Sequence, residues 1–192
     1  MKRLLLLLAL LPACASAVEL HIQFGALERM LTEQVFTQEG RRYVRGSRTT
    51  KCNFAYLEKP GMRGEGGRLV IRARFTGRSA LNVVGQCVGL GDAFNVVVTA
   101  VPVYRKGAIA LQEVKVASEG KSGYYIRKVC EAMQANLAKD FQYALDAEAR
   151  KILEAAGGPA AYRREVRNFT VPAVRVTNDA LVVQMDFELT VK

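Results

Sequence analysis

The chain has 192 residues and a formal net charge of +10, half of its residues are apolar, and it contains no Trp. This length suits one domain with a substantial core, and the composition excludes a disordered or fibrous protein. The positive charge favours non-specific contact with anionic lipid, acidic polysaccharide or nucleic acid, and it identifies no specific ligand.

The first 17 residues have the pattern of a secretory signal peptide. Lys2 and Arg3 precede an apolar run over 4–11, and Ala-Ser-Ala at 15–17 forms a small-residue cleavage site. The run is much shorter than the roughly 20 residues that cross a bilayer. Cleavage there predicts an exported chain over 18–192, and the loss of Lys2 and Arg3 lowers its charge from +10 to +8.

The four cysteines extend this interpretation. Cys14 ends the sequence LPAC, which resembles a lipobox and offers lipid anchoring as the alternative to a soluble product. Both alternatives predict a location in the periplasm or cell envelope, where disulfides persist. Of the three cysteines after residue 17, Cys52 and Cys87 lie at the ends of predicted strands, whereas Cys130 lies on the apolar face of a predicted helix. We therefore predict a Cys52–Cys87 disulfide and a buried thiol at Cys130.

The exported chain opens with a predicted strand and a predicted helix. Apolar and polar residues alternate over 18–24, and GALERMLTEQVF at 25–36 has helical spacing. Turn formers and basic residues fill 37–51, and Pro60 with four glycines predicts a loop over 59–67, after a strand at 52–58.

RLVIRARFTGR at 68–78 has four arginines, all at even positions, and Leu69, Ile71, Ala73 and Phe75 at odd positions. Side chains alternate across a strand, so the sequence predicts one basic face and one apolar face that points inward. Asp186 and Glu188 lie on the polar face of the last predicted strand, and they are the expected ion-pair partners if that strand is a neighbour.

Further strands are predicted over 79–87, 93–104 and 108–116, with a turn around Gly89, Gly91 and Asp92 between the first two. Pro102 indicates an edge or a bulge. The apolar register shifts at Gln112-Glu113, which predicts a β-bulge that bends the sheet.

The periodicity becomes helical over 122–144, where Ser122 is the expected N-cap and the helix extends to about Phe141. A second helix is predicted over 146–156, ended by Gly157-Gly158-Pro159, and two strands follow over 165–177 and 180–192. Grouped antiparallel strands and segregated helices predict a single α+β domain over 18–192, in which a strongly curved antiparallel sheet wraps around the long helix.

Catalytic and metal-binding patterns find little support. His21 is the only histidine, and a polar position on a strand is its default role. The cysteines lack the spacing of a zinc site, and GQCVGLGD lacks the order of a phosphate-binding loop. Paired carboxylates for glycoside hydrolysis have no positive indication. We expect no cofactor, no metal and no enzymatic activity.

A basic cluster with an aromatic residue lies within 41–51. The alternatives for it are a solvated loop, contact with anionic lipid or polymer, and base stacking on nucleic acid. Export argues against nucleic acid as a partner. The residues assigned to anionic headgroups are Arg41, Arg42 and Arg45.

The order of elements resembles small bacterial envelope proteins of the tubular lipid-binding (TULIP-like) superfamily. The resemblance rests on the signal peptide, the LERMLTEQVF helix, the strand GAIALQEVKV, the long helix and the closing VTNDALVVQMDFELTVK. It covers nearly all of 18–192 without a sharp binding motif, and Pro12 departs from the lipobox of the usual members. It implies that apolar ligands lie between the curved sheet and the helix.

The resulting hypothesis is an exported protein that binds or shuttles a lipid or another apolar molecule, with an anionic membrane surface as a second partner. The alternative is a non-enzymatic scaffold or adhesion module with a filled core and a basic surface for acidic polymers. The residues predicted to line the apolar groove are Leu69, Ile71, Phe75, Ile126, Val129, Met133, Leu137, Phe141, Met185 and Phe187.

Overall fold

The computed structural model describes residues 17–155 and 162–192, apart from the side chain of Asp140. The predicted signal peptide up to residue 16, with Cys14, and the predicted helix stop at 157–159 lie outside the described residues. The strands are β1 Val18–Gln23, β2 Arg41–Arg45, β3 Asn53–Glu65, β4 Arg68–Val83, β5 Gln86–Arg105, β6 Ala108–Glu119, β7 Gln142–Tyr143, β8 Arg164–Val176 and β9 Ala180–Val191. The helices are α1 Phe24–Gln34, α2 Tyr124–Asp140 and α3 Leu145–Glu154.

The strands form two antiparallel sheets. One has the order β1-β9-β8, so it joins the two ends of the described chain, and the other has the order β2-β3-β4-β5-β6-β7. In the larger sheet each strand pairs with the next in sequence, which is the arrangement predicted from the succession of strands. The molecule is dominated by this antiparallel structure.

The larger sheet is strongly curved into a half-barrel, and β-bulges provide the bends. The predicted bulge at Gln112-Glu113 is confirmed: the β5–β6 register shifts between Thr99 and Val101, and Glu113 has a φ of 48°. A second shift between Glu58 and Gly61 interrupts the β3–β4 register. Because Pro102 lies beside the first bulge, its missing N–H falls where the ladder is already irregular.

The concave side of the curved sheet is filled by side chains. The Phe75 and Phe94 rings lie 5.0 Å apart, and both residues are only 3% exposed. β8 packs against β5 and β9 against β3, so Val183 of the smaller sheet is completely buried in the same core as Val96. α2 contributes Ile126 to this core.

The prediction that the sheet wraps around the long helix is wrong. α2 lies along β6, and the smaller sheet supplies much of the core that we assigned to the helix. The predicted N-cap is wrong, because the N-cap is Gly123, with no side-chain cap from Ser122. The helix ends at Asp140, close to the predicted end at about Phe141, and Phe141 is extended. β7 and α3 follow immediately.

Three predicted irregular segments contain strands. β2 at Arg41–Arg45 lies within the stretch 37–51, for which turn formers and basic residues predicted a loop. Residues 59–65 continue β3, because the bulge accommodates Pro60 and only Gly66-Gly67 form the turn. Residues 89–92 continue β5. A Cβ at Gly89 would lie 2.3 Å from the Ser79 carbonyl oxygen, so glycine permits a close approach of strands there instead of a turn.

Three of the four arginines of β4 form ion pairs with strands other than the one predicted. β9 belongs to the other sheet, so Asp186 and Glu188 are not neighbours of β4. The partners are Glu113 for Arg68, Glu119 for Arg72 at 2.9 Å, and Glu58 for Arg74 at 3.8 Å. These exposed pairs neutralise charge and contribute little stability.

The predicted Cys52–Cys87 disulfide is present, and Cys130 is a buried free thiol. The bridge links the segment before β3 to the start of β5, across the end of β4. Such a bond is characteristic of an oxidising, exported environment.

Candidate ligand groove beside the edge of the curved sheet

The edge of the curved sheet at β6 is only partly covered by another strand. β7 pairs with β6 at Ile109 and Ala110, and α2 runs beside the rest of the strand. The Gln134 side-chain oxygen of α2 accepts a hydrogen bond from the Val116 N–H at 3.2 Å. The helix therefore covers a strand edge whose unpaired N–H and C=O groups could otherwise form hydrogen bonds with a strand of another chain.

A groove of about 400 Å³ lies between α2 and the end of β6. Its volume falls within the range typical of small-molecule sites, about 300–1,000 Å³. Ile126 and Cys130 are buried and form its apolar wall. The complete lining is Val116, Ala117, Ser118, Lys121, Ser122, Gly123, Ile126, Arg127 and Cys130.

Two cations lie at the rim of this groove, and they differ in availability. Lys121 Nζ contacts Asp92 Oδ1 at 2.6 Å and donates to the Ala93 carbonyl at 2.9 Å. The hydrogen bond from Lys121, followed by that from the Ala93 N–H, holds the pKa of Asp92 below its usual value. Arg127 is well exposed, with Glu131 Oε1 3.8 Å away. Arg127 is therefore the cation with more freedom to meet an anionic ligand group.

Cys130 contributes an apolar surface to the groove. Burial raises the pKa of its thiol, so the neutral form is favoured. A neutral buried thiol behaves as a small hydrophobic side chain. Its position between the groove and the core makes Cys130 useful as a reporter of ligand binding.

Tyr125 connects the start of α2 to the far side of the curved sheet. A Cβ on Gly77 of β4 would lie 3.2 Å from the Tyr125 hydroxyl and 2.7 Å from the Phe75 ring, so glycine leaves the space that these rings occupy. Burial and the charge of Asp92 raise the pKa of Tyr125, and the charge of Arg45 opposes them.

Nine of the ten predicted groove residues belong to the core or pack against it, and of these only Ile126 lines the groove. Leu69 and Phe75 are buried in the core, in agreement with the inward face predicted for β4, and Met185 of β9 is buried in the same core. Phe141 is separate: it is 42% exposed at the C-cap of α2, beyond the last helical residue. The partly buried members are Ile71, Val129, Met133, Leu137 and Phe187.

The three arginines predicted to contact headgroups have different surroundings. The Arg41 guanidinium lies 4.7 Å from the centre of the Tyr56 ring, and its Nε is 3.4 Å from Glu58. Arg42 and Arg45 are exposed. β2 and β6 are on opposite sides of the larger sheet, so Arg41 and Arg42 do not form the rim of the groove beside α2.

The sequence did not assign the remaining groove residues to a ligand site; these are Val116, Ala117, Ser118, Lys121, Ser122, Gly123, Arg127 and Cys130. Their role depends on the approach of α2 to the β6 edge, a tertiary arrangement without a local pattern. The only available signal was the polar sequence Ser-Glu-Gly-Lys-Ser-Gly at 118–123, which indicates a loop between a strand and a helix.

Within 17–155 and 162–192, no three His, Cys, Asp or Glu side chains are grouped so as to hold a metal ion. No helix in those ranges has the length and hydropathy of a membrane span. His21 Nε2 is 3.3 Å from Glu19 Oε2 on the exposed strand β1. Comparison of the chain with protein-family models, with curated proteins and with solved structures found no match.

Proposed function

We propose that this is an exported, non-enzymatic envelope protein that binds a single-chain lipid in the groove between α2 and β6. The observation that carries the proposal is the combination of an apolar wall, Ile126 and Cys130, with an exposed cation, Arg127, at the rim of a groove of about 400 Å³. An acyl chain gains by burial against the wall, and an anionic head group gains by contact with the guanidinium.

The disulfide supports export, and the curved antiparallel sheet supports a lipid binder of the tubular lipid-binding kind. Membership of that superfamily stays a prediction. The ligand position proposed here differs from the one predicted from sequence, because the concave side of the sheet is filled by core side chains. A ligand therefore lies beside the helix, at the edge of the sheet.

A titration with a fluorescent long-chain fatty acid tests this proposal. Ile126→Asp places a carboxylate in the wall and is expected to weaken binding at least about tenfold, because the acyl chain loses its apolar contact. Ile152→Asp is the matched control, since Ile152 is 70% exposed on α3 and is expected to leave binding unchanged. Equal affinity of the two variants contradicts the proposal.

Ser122→Trp provides a second variant that does not disturb the core. Ser122 is exposed in the loop before α2 and lines the groove, so a large side chain there obstructs the entrance. We expect loss of fatty acid binding with an unchanged circular dichroism spectrum and thermal midpoint. Retained binding in a folded Ser122→Trp protein places the ligand elsewhere.

The role of Arg127 is tested by comparing a fatty acid with the alcohol of the same chain length. The wild type is expected to prefer the acid, because only the carboxylate forms an ion pair, with two hydrogen bonds between opposite charges, with the guanidinium. Arg127→Glu is expected to remove or reverse this preference and to leave alcohol binding nearly unchanged. A preference that survives the substitution excludes Arg127 as the head-group contact.

The filled core favours a second candidate, a scaffold or adhesion module whose basic surface binds acidic polymers. Its expected signature is salt-sensitive binding of an acidic polysaccharide, with no uptake of fatty acid. Measurement of both ligands on the same protein separates the two candidates.

A further inference from the structure

The β4–β5 hairpin ends in an apolar and exposed tip, residues 79–91. Leu81 pairs with Val88, Ser79 with Leu90 and Val83 with Gln86, so four apolar side chains project from one face of the two-stranded tip. Val84 lies at the turn itself. The exposed fractions are 76% for Leu81, 51% for Val83, 99% for Val84, 59% for Val88 and 67% for Leu90.

The turn of this hairpin has an unusual residue for its conformation. Val84 and Gly85 have φ of 48° and 82°, the left-handed values that favour Asn-Gly. A β-branched residue is disfavoured there, and at 99% exposure Val84 makes almost no contact with the folded chain. Neither turn geometry nor core packing accounts for a valine at the most protruding position.

The tip is held in place. The disulfide from Cys87 to Cys52 ties it to the segment before β3, and the Asn82 side chain accepts a hydrogen bond from the Gly85 N–H at 2.9 Å. Because the hairpin is cross-linked near its turn, exposure of its apolar face does not depend on a transient opening.

The tip itself has no charged residues, but basic residues lie next to it. Residues 79–91 contain no Asp, Glu, Lys or Arg. Arg78 directly precedes the tip in sequence, and Lys51 directly precedes Cys52, which is bonded to the tip. Among the side chains that the structure describes, neither cation has a carboxylate within 4 Å. Asp92, at the base of the hairpin, is already bound by Lys121.

We propose that the hairpin tip docks this protein on an anionic lipid bilayer. Leu81, Val83, Val84, Val88 and Leu90 enter the boundary between head groups and acyl chains, while Arg78 and Lys51 contact lipid phosphates. Apolar insertion combined with basic residues at the interface is the physical basis of reversible membrane attachment. The uncharged apolar tip matches the acyl-chain layer of an anionic membrane, and the positive charges where the hairpin leaves the sheet match its phosphate layer.

Docking in this orientation brings the ligand groove towards the membrane. Asp92 pairs with Gly77 at the base of the hairpin and binds Lys121 at the rim of the groove. The groove therefore opens at the same end of the molecule as the tip. A role in loading or releasing a lipid rests on the proposed function, whereas membrane docking itself does not.

Insertion is directly measurable because the chain has no Trp. Val84→Trp places a single fluorophore at the turn, and its emission is expected to shift to the blue on vesicles of phosphatidylcholine with phosphatidylglycerol. Raised salt or omission of phosphatidylglycerol is expected to weaken the shift. Emission that stays at the position typical of water-exposed Trp on the anionic vesicles overturns the proposal.

Vesicle sedimentation of the exported protein identifies the residues responsible. Leu81→Asp/Val84→Asp is expected to reduce partition by at least about tenfold, because two apolar side chains lose their transfer into lipid. Ile152→Asp/Val191→Asp adds the same charges at exposed apolar positions on α3 and β9 and is expected to bind like the wild type. Equal partition of both double variants contradicts docking through the tip.

Lys51→Glu/Arg78→Glu is expected to abolish the preference for phosphatidylglycerol, and a retained preference contradicts the assigned cations. Ser122→Trp is expected to lose fatty acid binding and to retain vesicle binding, so fatty acid binding that persists in this variant refutes the groove and not the docking. If Val84→Trp emission is already blue-shifted without lipid in a protein of dimer mass, a second copy covers the tip and the membrane proposal is overturned.

Discussion

Removal of the disulfide by Cys52→Ser/Cys87→Ser is expected to destabilise the folded protein strongly. The bridge closes a loop with a sequence separation of 35 residues. The loop-entropy relation gives a loss of about 4 kcal/mol at 25 °C, because the unfolded chain regains the freedom that the bond removes. For a domain of this size, that loss corresponds to a decrease of about 8–15 °C in the melting temperature.

Urea denaturation of the oxidised wild type and the double variant measures this loss. Asn53 pairs with Ser79, and Asn82 with Cys87, so backbone pairing maintains the native arrangement without the bond. The variant is therefore expected to fold, with faster hydrogen exchange in the tip. Reductant serves as the control, since it is expected to lower the stability of the wild type only. A loss below about 1 kcal/mol refutes the reasoning.

Three further outcomes test the core, the rim and the groove. Phe94→Ala is expected to cost about 3–5 kcal/mol in denaturation, whereas Leu90→Ala is expected to cost less than about 0.5 kcal/mol; similar losses contradict the assigned core. Because the pKa of Asp92 is lower when folded, its pairing with Lys121 stabilises the protein at neutral pH and is lost in acid. Asp92→Asn is therefore expected to reduce the loss of stability between about pH 6 and about pH 3, and an unchanged loss contradicts the pairing. Cys130 is expected to react slowly with N-ethylmaleimide and more slowly with fatty acid bound, as measured by peptide mass; an unaffected rate contradicts ligand contact.

Alternation and register signals predicted a large part of the sheet. β1 and β9 appear where apolar and polar residues alternate, and the register shift at Gln112-Glu113 identified a bulge. The disulfide followed from the positions of Cys52 and Cys87 at predicted strand ends. These predictions were correct because the strands and the bulge depend on local periodicity, and because three cysteines allow only three possible pairings.

The failures occurred where long-range packing decides the conformation. Pro60 and Gly89 suggested a loop and a turn, yet a bulge and a close approach of strands place both residues within strands. The apolar arc of α2 gave no indication of its partner, because the smaller sheet and not the helix fills most of the curve. Leu81 was assigned to an ordinary strand and Val88 to the turn segment after it, since sequence alone does not show that a hairpin extends beyond its sheet.

The most direct test of the proposed function is photo-crosslinking of the chain over 18–192 with a fatty acid that carries a diazirine near the end of its chain. Peptide mass spectrometry is expected to locate saturable crosslinks within 116–130, and unlabelled fatty acid is expected to compete for them. Crosslinks that resist competition, or that lie outside this segment on an intact fold, contradict lipid binding between α2 and β6.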